Sequence, residues 1–175
     1  AAPQPAPAQP APPAPSAAEP PAPSTPGATP VGTSTHLPLP RWASFKTDEV
    51  NMRSGPGMQY PIQWVYHRVN YPVQILREFD VWRLIEDEEG VKGWVHTATL
   101  SNRRGFVIRP GTERVLRGSA SDGAGMVARV QPGVVGRVRS CEATATWCEV
   151  QVKGYKGWLK RADLYGLSSG EAINP

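Results

Sequence analysis

From Val50 onward the chain alternates apolar and polar positions over short runs, among them Val50 and Met52, Val73 and Ile75, and Trp82 and Leu84. A period of two puts such side chains on one face of a strand, and no stretch carries the wider spacing of an amphipathic helix. Turn chemistry separates the runs. In Ser54-Gly55-Pro56-Gly57, Pro presets one dihedral and Gly supplies a positive φ. Asn70-Tyr71-Pro72, Phe79-Asp80 and Asp87 to Gly90 punctuate the rest. The pattern predicts strands over 64–67, 73–77, 81–85 and 91–95, opened by Trp42 and Phe45 and closed by Thr97 to Leu100. Short strands with turns at this density indicate a small antiparallel barrel over residues 41–101.

The outline then recurs. Leu116-Arg117-Gly118 matches Met52-Arg53-Ser54, and Gly157-Trp158-Leu159 matches Gly93-Trp94-Val95. Arg and Trp are 41 positions apart in both copies, and Leu follows Trp by 6 in both. Equal spacing at three points marks a tandem repeat. The second unit spans 112–166, with Gln131-Pro132-Gly133 as its middle turn and Trp147 in the place of Trp82. Residues 102–111 are read as a connector, too short for free tumbling, and 167–175 as a loose tail. The fold class is all-β: two tandem small antiparallel barrels after a disordered Ala/Pro-rich tail.

The prolines establish that tail, since 14 of the 20 lie in residues 1–40, a segment with one charged residue, Glu19. It cannot bury enough apolar surface to offset ordering, so a solvated polyproline-like tether is expected, with His36 in water. Its Pro3, Pro5 and Pro7 spacing also suits an aromatic groove, but a spacer is the favoured reading. The Ala-Ala-Pro start resembles what cleavage at a small-residue signal site leaves, so export to the periplasm or medium is expected. No apolar run is long enough for a membrane span.

Cys141 and Cys148 flank Glu142 to Trp147 inside a strand-turn-strand pattern, where two hairpin arms bring side chains within bonding distance. A disulfide is favoured over two free thiols, and supports export. Two cysteines with no neighbouring His cannot make a structural zinc site.

Val50 to Gly57, the strand pair around Trp82, and Gly93-Trp94-Val95 closing on Leu100 resemble the bacterial SH3-like (SH3b) domain. Tyr60-Pro61-Ile62, Trp64-Val65-Tyr66 and Glu78-Phe79-Asp80 are similar to a group of proteobacterial envelope proteins with paired SH3b units. The likeness covers residues 45–166, and departs where Ser119-Ala120 replaces Gly55-Pro56. It implies SH3-like barrels in an exported accessory or binding module associated with peptidoglycan or other envelope components, and it supplies no catalytic site.

Candidate chemistry agrees. His36, His67 and His96 have no nucleophile or paired carboxylate placed beside them by a known motif, so no catalytic residue, metal site or cofactor is expected. The Glu86 to Glu89 cluster lacks the alternation of a calcium loop and reads as a solvated turn. Trp82, Trp94, Trp147 and Trp158 recur between the units, which assigns them to core packing. Tyr60, Trp64, Tyr66 and Tyr71 have no counterparts in the second unit and form the candidate ligand groove, with extra core as the alternative.

Charge is the other asymmetry. Residues 41–101 carry 7 Lys/Arg and 8 Asp/Glu, whereas residues 102–175 carry 12 and 6. Arg103, Arg104, Arg117, Lys153, Lys156 and Lys160 are therefore candidate anion contacts, with simple solubility as the alternative. The expected function is a non-enzymatic envelope module binding a cell-wall glycan or peptide or an envelope protein. A nucleic-acid or other polyanion-binding protein and a proline-peptide adaptor are the alternatives, the former disfavoured by the expected disulfide and by the lack of stacking aromatics in the basic unit.

Overall fold

The computed structural model describes residues 30–174. The first unit contains β1 (Arg41–Phe45), β2 (Val50–Arg53), β3 (Ile62–Tyr66), β4 (Pro72–Phe79), β5 (Trp82–Glu86), β6 (Lys92–His96) and, after a 3-10 turn at Thr97–Thr99, β7 (Leu100–Ser101). The second contains β8 (Gly105–Ile108), β9 (Arg114–Arg117), β10 (Met126–Val130), β11 (Val135–Ser140), β12 (Trp147–Val152), β13 (Tyr155–Lys160) and, after a 3-10 turn at Arg161–Asp163, β14 (Leu164–Tyr165). The sheet orders are β3-β2-β6-β5-β4-β1-β7 and β10-β9-β13-β12-β11-β8-β14, the same topology twice, with every neighbouring pair antiparallel. The tandem all-β reading holds. Each unit has seven strands, two more than its apolar alternation marks, because β1 (RWASF) and β8 (GFVI) do not alternate and β7 and β14 are two residues long.

Register explains the repeated residues. Arg53 pairs with Trp94 and Arg117 with Trp158. Met52 and Leu116 point into their cores, 2% and 0% exposed. Both strands cross a glycine: a Cβ on Gly93 would meet Met52 Cγ at 2.3 Å, and one on Gly157 would meet Leu116 Cγ at 2.6 Å. The Gly of each Gly-Trp pair thus lets a core side chain reach the sheet, and the Trp falls on the opposite face. Trp82 and Trp94 are buried there, as core packing predicts, and Trp147 and Trp158 are half-exposed; all four lie apart from the main apolar clusters, which are built around Phe45, Val50, Ile85 and Val95 in one unit and Phe106, Leu116, Val150 and Leu159 in the other.

Three segments carry more structure than their sequence suggests. The stretch read as a connector contains β8, buried along its whole length. The stretch read as a loose tail is docked: Ile173 N–H donates to Cys141 O at 2.7 Å, Cys141 N–H returns a bond to Ile173 O at 2.8 Å, and Leu167 and Ile173 are buried. The tether reading falls outside the described residues for positions 1–29. Residues 31–38, however, form a turn closed by a Val31 to Pro38 bridge and fastened to β4. The Glu78 carboxylate there accepts from Ser34 N–H at 2.9 Å, Thr35 N–H at 2.8 Å and the Thr35 hydroxyl at 2.5 Å, and it pairs with Arg41 at 2.6 Å.

The units touch one another. Ser44 Oγ donates to Arg103 O at 2.6 Å, and Trp42 meets Tyr165 edge-on at 5.1 Å while its Nε1 donates to Ser168 Oγ at 3.0 Å. Gly105 lies against Asn70 O, where a Cβ would sit 1.7 Å away. Val135 of the second unit packs on the first core.

Candidate functional site

Three of the four candidate aromatics come together. Trp64, Tyr66 and Tyr71 line a cleft of about 230 Å³ with Arg68, Asp87, Glu88, Glu89 and Val91. Trp64 and Tyr66 are two apart on β3 and share a face, along which Tyr66 at the strand's inner end is 7% exposed while Trp64, nearer the long loop, stands out at 59%. Tyr71, also buried, stacks on Phe45 and Tyr66 with centroids 5.9 and 6.0 Å apart. The core and groove readings of these residues therefore meet at one place: buried tyrosine rings form the floor, and Trp64 is the free wall. Tyr60 is elsewhere. Its ring packs on Gly55, and its carbonyl accepts from Arg53 Nη1 at 2.9 Å, so it shapes the long loop.

The opposite wall is acidic and comes from the turn between β5 and β6. Asp87 is buried, accepting from Tyr66 Oη at 2.8 Å and from the Glu89 and Val91 amides at 2.9 and 3.0 Å. Its carboxylate fixes both the turn and the tyrosine. Burial, then the bond to Asp87, pushes the Tyr66 hydroxyl well above its ordinary range, so it remains a donor. Tyr71 rises through burial and then the charges of Glu88 and Asp87. Glu88 is pushed up mainly by burial, with Arg68 opposing. Arg68 lies 5.3 Å from the Tyr71 centroid and donates to Gly133 O across the interface. The run 86–89 was visible as a turn in the sequence. Its placement opposite Trp64 depends on pairings between strands distant in the chain, which no local signal encodes.

The basic candidates are distributed over several elements. Arg104 is engaged by Glu171 and by Gly166 O, and Arg117 Nη1 donates to Ala124 O at 3.1 Å. Arg53 and Arg117 thus do the same work in the two units, holding the long loop after their own strand by its carbonyls. Lys160 pairs with Asp122 at 3.0 Å and lies over Trp147 at 5.4 Å. Arg117 and Lys160 share a small cavity of about 160 Å³ with Asp122 and Asp163. Lys153 and Lys156 are exposed at the hairpin joining β12 and β13, and Arg103 is exposed between the units.

Cys141 and Cys148 are joined in a disulfide, with Cα atoms 4.6 Å apart, so neither offers a thiol. Among the described residues no group of three or more His, Cys, Asp or Glu side chains is placed to hold a metal ion, and no helix is long and apolar enough to cross a membrane.

Solved structures similar to this chain include two proteins of Trichomonas vaginalis, NlpC1 and NlpC2, each 13% identical with a TM-score of 0.33. The alignments cover 77% and 73% of this chain and 48% of each of those chains, so the sequence spans about half their length. No curated protein matches. The model of the bacterial SH3 domain matches twice, over residues 46–102 and 111–166, which take in β2 to β7 and β9 to β14. The chain belongs to the bacterial SH3 domain family, with two copies of the domain in tandem.

Proposed function

We propose that this chain is a non-enzymatic, extracytoplasmic binding module that recognises peptidoglycan or an envelope peptide or protein through the Trp64 cleft of the first barrel. The observation that carries the reading is Trp64, 59% exposed above a floor of buried tyrosines whose hydroxyl and ring positions are set by Asp87 and Phe45. An indole held free beside a prepared floor gives a ligand contact area at little ordering cost. Two domains of a family that typically binds, a disulfide that suits an oxidising compartment, and the absence of a thiol among the described residues support it. In this reading the basic residues of the second unit draw anionic wall polymers toward the protein, and the contact itself is made at the cleft.

Sedimentation of the full chain with purified insoluble peptidoglycan tests the proposal. The wild-type protein should be enriched in the pellet and Trp64→Ala depleted, with unchanged thermal unfolding. No enrichment of wild type removes peptidoglycan as the ligand.

A further inference from the structure

The second barrel contains a larger cavity, about 770 Å³, on the outer face of its sheet. Trp147 and Trp158 both line it, with Ser140, Glu142, Thr146 and a set of alanines that includes Ala143 and Ala145. Pairing explains why two indoles meet here. Trp147 lies opposite Lys160 and Glu149 opposite Trp158, so the tryptophans are diagonal neighbours on one face. Their counterparts Trp82 and Trp94 have the same relation and are buried at 7% and 8% exposure, whereas Trp147 and Trp158 are half-exposed. The neighbouring long loop differs as well: Gly55 and Gly57 are buried in the first unit, and residues 118–123 are exposed in the second.

The walls are fixed before any ligand arrives. The disulfide closes the hairpin 141–148, and the Cys141 and Ile173 bridge seats the C-terminal segment beside it. Arg161 binds these pieces together, donating to Ala145 O at 3.3 Å, Ser168 O at 3.1 Å, Glu171 O at 2.9 Å and Glu142 O at 2.5 Å. Its guanidinium is therefore committed to carbonyls. The one charged side chain in the lining is the exposed carboxylate of Glu142, in a unit that is otherwise strongly basic. Such a cavity is unsuited to phosphates or acidic polymers, and its size is that of a small-molecule site, roughly 300–1,000 Å³.

We propose that this cavity binds a neutral amino-sugar ring of a glycan. A pyranose has an apolar C–H face for the indoles and a rim of hydroxyls for Ser140, Thr146 and Glu142, and an N-acetyl methyl suits the alanine wall. The site is separate from the Trp64 cleft and rests only on the general reading of the chain as an envelope-binding module.

The test is titration of the full chain with the β-1,4-linked N-acetylglucosamine trimer, followed by heteronuclear NMR. The indole signals of Trp147 and Trp158 and the amides of Ala143 and Ala145 should shift saturably while Trp64 remains still. Trp147→Ala should weaken binding by at least about tenfold. Ala143→Phe, at an exposed hairpin position, should do the same by filling the cavity without removing a wall. No saturable shift, a shift confined to Trp64, or full affinity in folded Ala143→Phe overturns the proposal. Wild-type enrichment on peptidoglycan without trimer binding would leave the envelope reading intact and remove this site alone.

Discussion

The two barrels share strand order and pairing, and they anchor their terminal segments with different chemistry at one position. Ile75 pairs with Ile85 and Val138 with Val150 at equivalent places, and three residues further on stand Glu78 and Cys141. Glu78 gathers residues 31–38 through a buried carboxylate, and Cys141 gathers Ile173 through its backbone while its sulfur closes the hairpin. A fold this small has a thin core, and each copy adds a staple where a chain end meets the sheet. One staple is electrostatic and depends on pH. The other is covalent and depends on redox state.

The largest effect should come from Glu78. Burial alone would raise its carboxyl, but the Thr35 hydroxyl and amide, Arg41 and the Ser34 amide outweigh it and hold the group down at about 2. A folded value below the unfolded one stabilises the protein above pH 4.5, and that stability is lost as the pH falls from there through about 2. The shift corresponds to about 3 kcal/mol at neutral pH. Glu78→Gln should cost a similar amount, since it also leaves Arg41 and Arg83 beside a neutral group. Amide exchange followed by NMR should show faster opening in β4 and residues 31–38 and little change in β12. Equal loss in both barrels would mean that the staple acts on the whole chain rather than on its own unit.

Reduction of the disulfide is the converse perturbation. Opening a loop of this length should cost about 2.5 kcal/mol by the chain-entropy estimate. The loss should appear in the second barrel, and Cys141→Ala with Cys148→Ala should reproduce it without reductant. Urea unfolding with and without reductant measures it, and an unchanged midpoint would show that the Arg161 bonds hold the hairpin unaided.

How much of this was legible follows from the range of each interaction. The tandem fold was readable because Gly93-Trp94 and Gly157-Trp158 are local, repeated and sterically required. The disulfide was readable from a short hairpin between its cysteines. The assignment of the tryptophans to core packing holds for Trp82 and Trp94, which are buried, and fails for the half-exposed Trp147 and Trp158, but the face they take was readable. Gly93 and Val95 share a face, and Trp94 must then point the other way. The cleft was half legible: the lack of second-unit counterparts singled out Trp64, Tyr66 and Tyr71, but Asp87 joins them through Tyr66 Oη, a contact made across the barrel. The docking of Ile173 left no trace, because it depends on backbone bonds that any side chain permits, and that of residues 31–38 left none because its anchor, the Glu78 carboxylate, lies more than 40 positions away in the chain.

A finer difference lies in the two glycines under the core side chains. The three atoms nearest a methyl at Gly93 all belong to the flexible Met52 side chain, its Cγ and Sδ at 2.3 and 2.5 Å. At Gly157 it meets Leu116 Cγ at 2.6 Å and also the Arg117 carbonyl oxygen at 2.7 Å, a backbone atom that can move only with β9. Both alanine variants should destabilise, within the range of roughly 1–3 kcal/mol for overpacking, with Gly157→Ala about 1 kcal/mol worse. Equal midpoint shifts in urea would show that β9 yields as readily as a methionine side chain.

The smallest effect on stability should come from Trp64→Ala. A residue 59% exposed on β3, an edge strand, holds little of the fold, so the unfolding free energy should change by less than about 0.5 kcal/mol. Its edge contact with Tyr66, at 6.4 Å between centroids, is the principal packing it would lose. The comparison that matters is with Val127, exposed on β10, the corresponding edge strand of the other barrel, beside Ala128, which pairs with Leu116 as Trp64 pairs with Met52. Val127→Ala should be as neutral for stability and should leave peptidoglycan enrichment unchanged, whereas Trp64→Ala should reduce it. Loss of enrichment in both variants would place the contact along sheet edges common to the two barrels and not in the Trp64 cleft.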